Sequence, residues 1–215
     1  MTTLVTALYA EGPTDQRFLP LIIQRTAVQI LSQRGHTIVD VLEPMLVEPP
    51  EKGERDQSIL AVARRVYGYH LLFVHADADA PTATAALRQR IAPGMALVQA
   101  AQQQGETVCT DLVPIIPVQM TEAWMLVDRD ALLAMIGALS DHHDLDIPVR
   151  PQQVEQIADP KQQLSRIFAE ALASRTRRIR RRRRIAELYE PLGRTVDLTA
   201  LAQTPSYQQF VADLT

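Results

Sequence analysis

Apolar residues along this chain switch between short unbroken runs and longer stretches at helical spacing. Leu4 to Ala10 is apolar, partly β-branched and too short for a helix, so it predicts a buried parallel strand. In the next stretch Phe18, Leu19, Ile22, Ile23, Ala27, Ile30 and Leu31 recur with the helical period, and Gly35 marks the end of that helix. Thr14 or Asp15 could cap it. Thr37 to Leu42 predicts a second strand, and Pro44 to Asp56, with three prolines, a loop. Gln57 to Tyr67 has helical spacing. Leu71 to Val74 is the most apolar strand and should be central. A helix is expected from Ala80-Pro81-Thr82 to about Gln104, then a strand over Leu112 to Val118. Pro114 and Pro117 suit an edge strand or a strand end. Thr121 to Ala138 predicts one further helix.

This alternation of strands and helices implies a parallel sheet with helices on its faces, an α/β, Rossmann-like architecture. Asp141 to Pro151 reads as a polar linker, and the chain beyond Val154 is helical in character. The expected organisation is an α/β domain over residues 1–145 with a helical C-terminal extension over 146–215 packed on it.

Composition narrows the class. The chain has 215 residues, enough for one domain with an appendage, and 47% hydrophobic content is ordinary for a soluble protein. No apolar run reaches membrane-spanning length and no signal-peptide pattern opens the chain, so a cytoplasmic protein without membrane contact is expected. The single cysteine, Cys109, excludes an internal disulfide and a thiolate metal cage. The net charge of −3 hides an asymmetry. Eight arginines fall within residues 175–184 and leave 14 basic against 25 acidic residues elsewhere. A basic patch on an acidic body suits a polyanion or an acidic partner surface.

The candidate chemistry stands at predicted strand ends. Glu11 follows the first strand, Asp77 and Asp79 the central one, and Glu122 the last. In an extended chain residues two apart point the same way, so Asp77 and Asp79 can face one ion, with Glu11 as a third ligand or as general base. Oxygen donors of this kind suit Mg²⁺ or Mn²⁺. A lone Asp-x-Asp is a weak signal that often only caps the next helix. Two acid-bearing strand ends in one parallel sheet make a stronger one. His75 is read as a hydrogen-bonded core residue, and Trp124 as core packing. His142 and His143 are read as solvated loop residues. Lys52 and Arg55 could reach a phosphate, although solvated loop charge explains them as well. Asp159-Pro160 looks like a helix start, which leaves Lys161 to neutralise a phosphate or a departing oxygen.

Glu11-Gly12-Pro13-Thr14-Asp15 after a first strand and Asp77-Ala78-Asp79 after a later one resemble the Toprim domain. Glu122-Ala123-Trp124, Asp159-Pro160-Lys161 and Thr204-Pro205-Ser206-Tyr207 with Phe210 extend the resemblance to a bacterial Toprim-like domain family of unknown function, often adjacent to ATPase genes. The resemblance spans nearly the whole chain. It implies a Mg²⁺-dependent nuclease-like site with Glu11, Asp77, Asp79, Glu122 and Lys161 as catalytic residues. As in OLD-type relatives, it further implies control by an ATPase partner in defence against phage.

Within the arginine run, Arg177, Arg178, Arg180, Arg181, Arg182, Arg183 and Arg184 would hold a nucleic-acid backbone without reading sequence. The rival reading is a disordered basic loop. The first expectation is thus a metal-dependent phosphodiesterase acting on nucleic acid. Its rivals are a non-catalytic module that binds nucleic acid or an ATPase, and a haloacid-dehalogenase-like phosphatase with Asp77 as nucleophile. The phosphatase ranks last because Pro81 stands where that motif wants threonine. DNA versus RNA stays open, as does a homo-oligomer.

Overall fold

Four parallel strand lines carry the molecule. The computed structural model describes residues 2–35, 39–49, 53–137, 145–148, 150–173 and 184–215. The first line is the apolar N-terminal run, broken at Val5 into β1 (Thr2–Leu4) and β2 (Thr6–Tyr9). Beside it lie β3 (Val39–Val41) and β4 (Met45–Leu46), which pair with β1 and β2 respectively. On its other side runs β5 (Leu71–His75), followed by β6 (Leu112–Ile115) at the edge. The order β4-β2-β5-β6, all parallel, is compatible with a Rossmann-like fold. It reverses direction between β2 and β5, and a crevice opens at such a reversal beyond the carboxyl ends of the strands. As expected, β5 is interior and proline-bearing β6 is an edge.

The alternation of side chains along the strands divides the core in two. Leu8, Phe73 and Val113 face one apolar cluster. Ala7, Tyr9, Leu72 and Val74 face the other, against α2 (Arg55–Arg65) and α4 (Ala92–Gln103). The first cluster gathers α1 (Asp15–Arg34), α5 (Glu122–Met125), α6 (Arg129–Ile136), α7 (Pro160–Ala173) and the final helices α8 (Tyr189–Thr195), α9 (Leu198–Leu201) and α10 (Pro205–Leu214). Residues on both sides of position 145 therefore share one core. Trp124 is fully buried there, stacked edge-on against Tyr207 at 5.5 Å, and its indole N–H donates to Ser206 Oγ at 2.8 Å. Gly193 lets α8 approach α1 closely, since a Cβ there would stand 2.9 Å from the Phe18 carbonyl oxygen.

Several expectations need correction. The helix expected over residues 121–138 is two helices. Asp128 interrupts it because its Oδ1 accepts from Ala131 N at 2.9 Å, an N-cap bond, and its Oδ2 accepts from Asp197 N. The helix expected from Pro81 starts only at α3 (Thr84–Ala86) and continues through a π-helical turn, Leu87–Ile91, into α4. The residues before it are kept out of the helix because Ala78 N and Asp79 N donate to Pro117 O and Gln119 O. Arg55 is not a loop residue but opens α2. Neither Thr14 nor Asp15 caps α1 with its side chain: Thr14 takes the cap position and makes no such bond. Asp159 does cap α7, its Oδ1 accepting from Gln162 N at 2.8 Å.

Part of the expected nucleic-acid surface is not placed. Arg177, Arg178, Arg180, Arg181, Arg182 and Arg183 lie outside the described residues, and of the seven arginines expected to hold a backbone only Arg184 lies within them. Lys52, His142 and His143 also lie outside. Among the described residues no helix is long and apolar enough to cross a membrane.

Candidate metal centre

The crevice at the strand reversal is where the sequence-predicted acids meet. Glu11, Asp15, Asp77, Asp79, Glu122 and Lys161 line one cleft of roughly 440 Å³. The chain reaches it from several elements: the end of β2, the first turn of α1, the end of β5, and the starts of α5 and α7 beside them.

Its inner part is built on His75, the last residue of β5, which is fully buried. Glu11 N–H approaches His75 Nδ1 at 3.5 Å, which leaves Nε2 to face Thr121 Oγ1 at 3.2 Å and Asp77 Oδ1 at 3.3 Å. Asp77 Oδ1 also accepts from Thr121 N at 2.9 Å, and none of these bonds uses Oδ2. On the other side of the imidazole, Asp15 Oδ2 lies 3.9 Å from Nδ1. Asp15, His75 and Asp77 each present a ligand atom, and these atoms lie within 4.8 Å of one another, so the group could hold a metal ion. Burial pushes the Asp15 carboxyl up from its ordinary value, and the neighbouring imidazole only partly offsets this. Gly12 makes room: a Cβ there would stand 3.0 Å from Asp15 Oδ2.

The outer part is tied by guanidinium groups. Glu11 Oε1 accepts from both Arg55, at 2.8 Å, and Arg90, while its Oε2 takes the Asp77 N–H at 3.3 Å. Arg90 also donates to Asp79 Oδ2 at 2.9 Å and to the Asp77 carbonyl at 2.7 Å. Arg55 is anchored further, through His75 O, through Arg90 O at 3.1 Å and over the Tyr9 ring at 5.2 Å. Asp79 stands exposed with φ of +49°, an uncommon conformation for a residue other than glycine, and it turns the chain back over the cleft.

Glu122 forms the far wall. It is buried, accepts a hydrogen bond from the Tyr189 hydroxyl at 2.5 Å, and its carboxyl is pushed up by burial. Burial, then the same bond to Glu122, pushes the Tyr189 hydroxyl up as well. Lys161, in the first turn of α7, lowers the Glu122 value electrostatically. Arg184, at the end of the arginine run, takes the position before the 3₁₀ turn Ile185–Glu187 without a side-chain bond to it, and Arg17 from the start of α1 donates to Ala186 O at 3.3 Å.

The predicted acids therefore share one cleft, but sequence reasoning missed who partners them. His75 is the hydrogen-bonded core residue expected, and it is also the centre of the metal-capable group. Asp15 lies inside the Glu11–Asp15 motif, where the sequence pattern suggests only a cap. Arg90 gives no local signal at all, because its role depends on a loop 11 residues upstream folding back on it. In comparisons with known proteins, no family model, no curated protein and no solved structure matches this chain.

Proposed function

We propose that this chain is a divalent-cation-dependent phosphodiesterase of Toprim-like type that cuts nucleic acid at the cleft, as the effector of an ATPase-partnered defence against phage. One observation carries the chemistry: Asp15, His75 and Asp77 converge at the carboxyl edge of a parallel sheet, at the strand reversal. The donor set fits a divalent ion. Its two carboxylates suit Mg²⁺ or Mn²⁺, and the imidazole tilts the preference towards Mn²⁺. A bound ion would neutralise charge on the scissile phosphate and lower the pKa of the attacking water.

The chain's own residues do the rest. Thr121 and His75 fix Asp77 through Oδ1, which keeps its other oxygen available for the ion. Glu11, once Arg90 leaves it, would take the proton of the attacking water through Oε2, the oxygen that Arg55 does not bind. Lys161 across the cleft would balance charge on the departing oxygen. The arginine run that ends at Arg184 would hold a phosphate backbone without reading its sequence.

The test is Asp77→Asn. Asparagine can still accept from Thr121, so the fold should hold, while Mg²⁺- or Mn²⁺-dependent cleavage of plasmid DNA or structured RNA should be lost. Cleavage equal to that of the unmodified chain ends the proposal. A second reading, a module that binds nucleic acid or an ATPase without cutting, draws on the closure of Glu11 Oε1 by Arg55 and Arg90. It predicts a co-purifying partner and no turnover with either ion.

A further inference from the structure

Arg90 carries one guanidinium to three oxygens that border the cleft: Glu11 Oε1, Asp79 Oδ2 and the Asp77 carbonyl. Two of these belong to the acids the sequence offers as cation ligands. The residue sits on the π-helical turn Leu87–Ile91, and such turns re-aim side chains and recur at functional sites. One of its partners, Asp79, has a positive φ. The local backbone on both sides of the bridge is thus bent away from regular structure, and the bridge is what the two bends share.

Arg55 provides the contrast. It also meets Glu11, but it is tied to the His75 and Arg90 carbonyls and packed over Tyr9, so it is part of the scaffold. Arg90 bonds mainly to side chains and a carbonyl at the cleft lip, and its own side chain is about one-third exposed. It can leave without unmaking the sheet.

We propose that Arg90 is a built-in counter-cation that takes the place of a divalent ion at Glu11 and Asp79, so that ion binding and the opening of the Arg90 bridges are one coupled event. The inference rests on the metal-dependent reading above. A guanidinium and a divalent cation answer the same electrostatic need, the repulsion between acids gathered at one sheet edge. While Arg90 is in place, Asp79 is unable to act as a ligand, and Glu11 Oε1 carries two guanidinium groups where Arg55 alone would leave one. An ion entering beside Asp77 repels the guanidinium and competes for both carboxylates. The bridge therefore weakens ion binding in the resting protein and guards the site against cutting.

The experiment is a Mn²⁺ titration of the full chain, reading free Mn²⁺ by electron paramagnetic resonance, for the wild type and Arg90→Gln. Removing the competing charge should tighten Mn²⁺ binding about tenfold. Equal or weaker binding by the variant, with wild-type binding intact, overturns the role of Arg90 and leaves the metal site standing. Absence of Mn²⁺ binding in both proteins overturns the inference together with the reading beneath it. If Arg90→Gln fails to fold, Arg90→Lys answers the same question. An ammonium reaches one acid at a time, so the gain should be about threefold, and no gain refutes the proposal.

Discussion

The inner and outer halves of the cleft hold similar acids in opposite ways. Asp15 and Asp77 are held around a buried imidazole by neutral donors, Thr121 and the backbone. Glu11 and Asp79 are held by full positive charges on Arg55 and Arg90. The reason is solvent. A buried carboxylate faces a desolvation cost that raises its pKa, as it does for Asp15, and only a proton or an ion relieves that cost fully. At the lip, nearer to water, charges are better screened, and an arginine bridge there is weaker than a buried one. The inner half could thus hold an ion, and the outer half is already neutralised by arginines.

This contrast can be broken or sharpened by substitution. The largest effect is expected at His75. Replacing it with glutamine removes the group that orients Asp77 and lies against Asp15, and should weaken Mn²⁺ binding by about 10–100-fold. An equal loss from Asp79→Asn would erase the distinction between the halves. Asp79→Asn is expected to change Mn²⁺ affinity by less than about threefold, because the lost ligand and the loosened Arg90 bridge oppose each other. Both are read by the same titration.

A smaller effect concerns stability. Asp15→Asn removes a buried charge, and the melting temperature in chelator at neutral pH should rise by a few degrees while Mn²⁺ binding falls. A fall in melting temperature would mean that the Asp15 carboxylate is structurally paired rather than waiting for an ion.

The smallest effect is at Glu122, the buried far wall of the cleft. Burial raises its folded pKa above the ordinary value of 4.5, so the folded protein holds this proton more tightly than the unfolded chain. The resulting stability is full below the ordinary value and is lost as pH rises through the raised one. Glu122→Gln should flatten that part of the pH–stability curve, measured by thermal melts across the window. A wild-type curve that rises over the same range would contradict the assignment.

What could be read from the chain follows from the range of the forces involved. Strand and helix periods, the glycine stop at Gly35, the edge proline Pro114 of β6 and the Asp159 cap are local, and each is visible in a few consecutive residues. The positions of Glu11, Asp77, Asp79 and Glu122 at element ends follow from the same local patterns. The break at Asp128 was not legible, because its cap bond competes with a helical pattern that runs straight through it. Part of the break's strength comes from Asp197, 69 residues away. The late start of α3 was hidden for the same reason, since it depends on backbone bonds to Pro117 and Gln119.

The sequence by itself determined that an open parallel sheet would carry acids at its carboxyl edge, because hydrophobic period and residue order act along the chain. Only the tertiary structure decided how those acids are neutralised. Burial of His75 and Asp15, and the reach of Arg55 and Arg90 across the crevice, depend on strand order. A carboxylate's charge state is set by whatever lies within a few ångströms in space, whichever part of the chain supplies it.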